Sequence, residues 1–203
     1  MPAGIAGQAS TPAVQPTSSA HYLRALGSAS QGLHAEALQE IKEALRESGD
    51  FAEGYHERGR AYKNLGEMNK AVKAFRTAIR IQPERVESYI ELASVYDATG
   101  NFLEAIKVYM EALRLQPNSI ETRNDLGMAY FHVGSYAEAS KAFSQALQID
   151  EHNSGAHFGL GLIYVDTHRK EMAVDKYKVL KESGDHALAS LLMDQIDSEF
   201  HSY

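Results

Sequence analysis

Small and apolar side chains return along this chain on a fixed beat of 34 residues, with polar stretches between them. Ala37, Ala71, Ala105, Ala139 and Ala173 mark the beat, and a second alanine series runs through Ala44, Ala78, Ala112 and Ala146. Small residues recur at Ala25, Gly59, Ala93, Gly127 and Gly161. Rings recur at Tyr62, Tyr96, Tyr130 and Tyr164, and again at Phe75, Tyr109, Phe143 and Tyr177. No strand pattern interrupts the series. A period of this length predicts a helical hairpin repeated along the chain, each unit too small to bury its apolar face alone and therefore stacked on its neighbour.

The residue types at these places have physical reasons. Two antiparallel helices approach closely only where the crossing residue is small, so Ala71 and Gly59 let the backbones near one another while the rings fill the remaining space. Gly32, Gly66, Gly100 and Gly134 suit a left-handed residue that ends the first helix of each pair. His168 stands in the fifth such place and predicts a weak turn or one of another shape. Pro83 and Pro117 stop two of the second helices, since proline has no amide hydrogen to continue the ladder. Glu151 and Asp185 occupy that slot later, which predicts different helix ends there.

With these residues in place the chain resembles the tetratricopeptide repeat family. That family's 34-residue unit carries a small residue eighth, Tyr eleventh, Gly fifteenth, Ala twentieth, an aromatic twenty-fourth, Ala twenty-seventh and Pro near its end. The resemblance implies an all-α fold, a right-handed superhelical α-solenoid of helix-turn-helix repeats. Its register sets five repeats at 18–51, 52–85, 86–119, 120–153 and 154–187, after a flexible lead over 1–17. The middle three match strongly. The first departs, with Arg24 in place of leucine and Ser28 in place of tyrosine, and reads as a cap. Leu188, Leu191, Leu192 and Ile196 fall at helical spacing in 188–203, with Asp194, Gln195, Asp197 and Ser198 turned to water. This predicts a C-terminal helix that caps the last repeat.

Composition and charge exclude several classes. The chain has 27 acidic and 20 basic side chains, a net charge of -7, which disfavours a nucleic-acid groove lined by clustered Lys and Arg. No run of 18 apolar residues predicts a membrane span. Without cysteine there is neither disulfide nor thiolate metal site. The uncharged lead lacks the basic start and apolar stretch of a secretory signal, so a cytoplasmic protein is expected, with a trimmed targeting segment as the other reading. No phosphate loop, nucleophile elbow or metalloprotease motif occurs. His152 and His157 are five apart, outside helical metal-ligand spacing. A non-enzyme without metal or cofactor is expected.

In the resembled family the first helices line a concave groove, and positions two, five, nine, twelve and thirteen tend to face it, with position six beside them. Carried onto this chain, position two gives Glu53, Glu87 and Glu121, and position six gives Glu57, Glu91 and Asp125. Capping of the helix N-termini accounts for the first column, and Asp50 before Glu53 and Asn118 before Glu121 have capping-box spacing. The second column repeats a like-charge pairing at i, i+4 that costs about 0.2 to 0.5 kcal/mol each. Arg60 offsets it for Glu57. Either a basic partner uses these carboxylates or they form a solvated face.

Farther along, Asn124, Met128 and Phe131, then Phe158, Leu162 and Val165, make an apolar strip at positions five, nine and twelve. These side chains either pack against neighbouring helices and the cap, or anchor a partner, as Met and aromatic residues do at interface cores. The groove lacks the Lys, Asn and Arg pattern of clamps for acidic chaperone tails, with Arg60 and Lys63 its basic members. The expected role is a scaffold or adaptor holding a basic or amphipathic peptide or helix. Self-assembly into homo-oligomers through array ends or groove is the alternative.

Overall fold

A computed structural model of the chain describes residues 19–200, and the lead over 1–17 lies outside the described residues. Within them stand eleven helices and no strand. They are α1 (Ala20–Ser30), α2 (His34–Ser48), α3 (Ala52–Asn64), α4 (Met68–Ile81), α5 (Val86–Ala98), α6 (Phe102–Leu115), α7 (Ile120–His132), α8 (Tyr136–Ile149), α9 (Ser154–Asp166), α10 (Lys170–Glu182) and α11 (His186–Phe200). The fold is an all-α solenoid of helix-turn-helix repeats. Two compact units divide the chain at Pro83 and Glu84.

The tight turns explain the glycine beat. Gly32, Gly66, Gly100 and Gly134 have φ between 72° and 76°. After each, an amide reaches back five residues to the first helix, as Glu67 N does to the Tyr62 carbonyl at 2.9 Å and Ser135 N to that of Tyr130 at 2.9 Å. His168 corrects the expectation of a different fifth turn. It takes φ 56° itself, and Arg169 N closes the same bond onto Tyr164 at 2.7 Å. The packed helices on either side hold this residue in a conformation its Cβ disfavours.

Of the two second helices with an acidic residue in the proline slot, α10 ends differently, at Glu182 with Gly184 at φ 84°, while α8 ends as its neighbours do. Helices α4, α6 and α8 stop at Ile81, Leu115 and Ile149, one place in the register, although the proline slot holds Glu151 in the last case. Extended backbone at Asp150, φ -139°, ends α8 without it.

In the unit formed by residues 19–83, Tyr22, Ala44 and Phe51 share a core, with the Tyr22 and Phe51 rings edge to face at 5.4 Å. Phe75 is fully buried against Gly59, where an added Cβ would stand 2.6 Å from the ring.

In the unit formed by 84–200, Phe143 plays the same part twice over. Its ring lies where a Cβ on Gly127 would come within 2.6 Å and one on Gly159 within 2.2 Å. The side chain is 0 % exposed and binds α7, α8 and α9 into one core with Ala139, Ala146, Ala156, Leu160 and Ile163. A neighbouring core holds Val165, Ala173 and Leu180 against Ala189, Leu192 and Ile196 of α11. That helix starts at His186, two residues earlier than the sequence reading, because Asp185 Oδ1 accepts a hydrogen bond from Leu188 N at 3.2 Å and caps it. Asp194, Gln195, Asp197 and Ser198 are exposed. Leu191 is not on the covering stripe: it is 54 % exposed.

Candidate partner-binding site

Helix α9 is apolar on nearly all sides, whereas α7 is polar over 121–125 and apolar from Leu126 on; Gly127, Gly159 and Gly161 leave room for the Phe143 and Leu192 side chains while larger residues face outward. Met128 and Phe131 of α7 pack their inner edges on the Phe143 core, and Phe158 and Leu162 of α9 do so on the Leu192 core. All four stay half-buried. Their free edges line one cleft of about 450 Å³, together with His132, Asp166, and Leu191 and Gln195 of α11. Four of the six residues of the expected strip therefore come together in one place.

The other two do not join them. Val165 is 4 % exposed and packs in the core with Leu180 and Leu192, because position twelve of this repeat turns under the capping helix. Asn124 is structural. Its Nδ2 donates to Asn153 Oδ1 at 2.7 Å, and the same oxygen accepts from Ala156 N at 2.9 Å to cap α9. That arrangement also fixes Gly155, where a Cβ would stand 2.8 Å from the Asn124 amide nitrogen.

The carboxylate columns divide by unit. In the first, Glu57 pairs with Arg60 at 3.2 Å, and Glu53 sits in the first turn of α3. The capping box with Asp50 does not form. Phe51 holds the N-cap place, and Asp50 instead accepts from the Tyr55 hydroxyl at 2.8 Å. In the second unit Glu87 and Glu121 lie in first turns, where their charge meets the helix dipole. The cap of α7 is Ser119, accepting from Thr122 N at 3.2 Å, and not Asn118.

Glu91 and Asp125 share their surroundings with Asp97. Burial, then Asp125, Asp97 and Glu91 in turn, push the Tyr109 hydroxyl far above its usual range. Asp125 is open to water at its outer edge yet walled by protein. Desolvation first, then Asp97 and Glu121, raise its carboxyl to about 6. Burial also raises Asp97, while His132 pulls it back, and Asp97 Oδ1 has no hydrogen-bond partner. His132 lies flat on Phe102 with ring centroids 4.5 Å apart, and so leads from these carboxylates to the apolar cleft.

A pH dependence follows for Asp125. Its folded-state pKa exceeds the unfolded one, so it contributes stability that is fully present below pH about 4 and lost as pH rises through about 6. Asp125→Asn is expected to retain that stability at neutral pH, a gain of about 1 kcal/mol after allowing for solvent screening. Urea midpoints of the two proteins at pH about 7 and about 5 check this. A variant keeping the full wild-type pH dependence contradicts it.

The sequence reading missed His132, Asp166, Asp97, Leu191 and Gln195. The first two stand thirteenth in the repeats already read and Asp97 twelfth in the repeat before them, places the register already put on the groove face, so applying it in full to repeats three to five reaches all three. Leu191 and Gln195 lie beyond the last repeat, where no register applies.

Comparison with known proteins supplies the class. The tetratricopeptide repeat family matches at residues 52–85, 84–152 and 124–187. The chain belongs to that family. It is thereby placed among protein-interaction scaffolds. No curated protein sequence matches it significantly. Among solved structures it is similar to MamA, at 20 % identity and TM-score 0.74 over 80 % of this chain and 95 % of that one. MamA 41-end from Desulfovibrio magneticus RS-1 gives 21 % identity and TM-score 0.71, covering 81 % and 92 %. YrrB, a TPR protein with an unusual peptide-binding site, gives 23 % identity and TM-score 0.73, covering 86 % and 90 %. At these identities the likeness concerns the fold. No helix among the described residues is long and apolar enough to cross a membrane.

Proposed function

We propose that this protein is a non-catalytic adaptor that seats an amphipathic helix or extended segment in the cleft between α7, α9 and α11. The apolar side of the partner rests on Met128, Phe131, Phe158 and Leu162, and its basic side faces Asp166 and the carboxylates of Asp125 and Glu91. The convergence of four apolar anchors, spaced along two different helices, into one open cleft carries this reading. A single exposed leucine would need no explanation, whereas contiguous apolar surface rimmed by polar groups marks a binding site. Anchors that already lean on a rigid core lose little side-chain entropy on binding.

Capture from cell lysate, read by mass spectrometry, tests the reading. Phe158→Ala combined with Met128→Ala is expected to weaken capture of the wild-type partner by roughly tenfold or more, the usual scale for central apolar anchors, without unfolding the array. Glu91→Lys with Asp125→Lys is expected to remove the salt-sensitive part of capture of a basic partner. Equal capture by wild type and by both double variants would sink the assignment.

A further inference from the structure

The 19–83 unit carries a second cleft of different chemistry. It holds about 340 Å³ between α3 and α4 and is lined by Tyr55, Arg58, Tyr62, Lys70, Lys73 and Thr77, with Ala74 at its floor. Three cations and no carboxylate line it, in a chain of net charge -7. Helix α4 as a whole has Lys70, Lys73, Arg76 and Arg80 and no acidic residue.

The 34-residue register identifies what is unusual here. Position seven is leucine in the last three repeats, Leu92, Leu126 and Leu160, each at most 8 % exposed. In the first two it is Arg24 and Arg58. The first repeat neutralises its arginine internally. Glu40 Oε2 accepts from Arg24 Nε at 3.0 Å and lies 2.7 Å from His21 Nδ1, which occupies the place of Tyr55. These contacts, His21 first, hold the Glu40 carboxyl below its usual range.

One repeat later the residue in the place of Glu40 is Ala74, and Glu36 and Glu43 are answered by Lys70 and Thr77. Arg58 meets only the rings of Tyr62 at 5.6 Å and Tyr55 at 5.9 Å. Lys70 lies over Tyr62 at 5.4 Å and pairs with Glu67, while Asp50 is taken by the Tyr55 hydroxyl. Among the described residues neither Arg58 nor Lys73 has a carboxylate partner. A half-buried guanidinium with unmatched donors gains most from a charge-assisted, bidentate acceptor.

We propose that this cleft is a docking site for an acidic peptide segment, one of whose carboxylates takes at Arg58 the place that Glu40 takes at Arg24. A second acidic side chain meets Lys73. The cleft is larger than an inorganic anion needs, and its tyrosine edges offer apolar contact that such an anion cannot use and a peptide can. The site lies in the other unit from the α7–α9–α11 cleft and selects the opposite charge, so each stands or falls alone.

Fluorescence anisotropy with a fluorescein-labelled peptide of alternating glutamate and alanine, at low salt, tests the proposal on the full chain. Wild type is expected to bind it, and the glutamine–alanine counterpart to bind at least about tenfold more weakly. Arg58→Leu restores the residue of the later repeats and is expected to fold normally while losing roughly tenfold or more in affinity. Ala74→Glu supplies the carboxylate from within and is expected to lose binding comparably, with circular dichroism unchanged. Equal binding of the two peptides, full binding by both variants, or binding of inorganic phosphate or an oligothymidylate in place of the peptide would overturn it.

Discussion

Phe143→Ala is expected to lower the unfolding free energy of the 84–200 unit by about 3–5 kcal/mol, the range for removing a fully buried ring. The ring is 0 % exposed and is gripped from two sides by residues that have no Cβ, Gly127 and Gly159. Neighbouring backbones cannot collapse into the space, because α7 and α9 are fixed by their packing on α8 and by the Asn124–Asn153 hydrogen bond, so most of the cavity would persist. Urea unfolding followed by circular dichroism measures the loss. Gly159→Ala should act through the same ring, since its Cβ would meet Phe143 at 2.2 Å. Its cost should shrink when combined with Phe143→Leu, and additive effects would show that the ring and the glycine are not coupled.

The second large effect separates two adjacent leucines of α11. Leu192 is 0 % exposed and would meet a Cβ on Gly161 at 2.4 Å, whereas Leu191 is 54 % exposed and lines the candidate cleft. Leu192→Ala should destabilise the unit by about 2–5 kcal/mol. Leu191→Ala should change stability by at most about 0.5 kcal/mol, as surface substitutions do, yet weaken partner capture. The two are compared by thermal unfolding and by pull-down on the same preparations. A loss of capture confined to Leu192→Ala would show that α11 is a cap alone and no wall of a binding site, and equal melting temperatures would contradict the place of Leu192 in the core.

The repeat fold was almost wholly legible in the sequence, because each recurring residue answers a local steric demand: glycine or alanine where helices cross, a ring beside it, a left-handed residue at the turn. His168 shows where that reading stops. The turn is imposed by the packed helices around it, so a residue that disfavours the conformation adopts it all the same. Asp150 makes a similar point, since α8 ends on register without proline. For the candidate site, a 34-residue register assigns faces within about one residue. That sufficed for Met128, Phe131, Phe158 and Leu162 but not for Val165, which α11 covers. Asn124 was misread because its role, holding the Asn153 cap, depends on a residue 29 positions away that no local pattern announces. The register flagged Arg24 and passed over Arg58 in the same place one repeat later, whose meaning required the Glu40 to Arg24 contact that the neighbouring repeat makes.

Amide hydrogen exchange on the protein with and without a captured partner tests the central claim most directly. The account predicts slowed exchange along α7, α9 and α11, centred on Met128, Phe158 and Leu191, with α8 and α10 unchanged. Protection confined to α8 and α10, with α7, α9 and α11 exchanging as in the free protein, would contradict it.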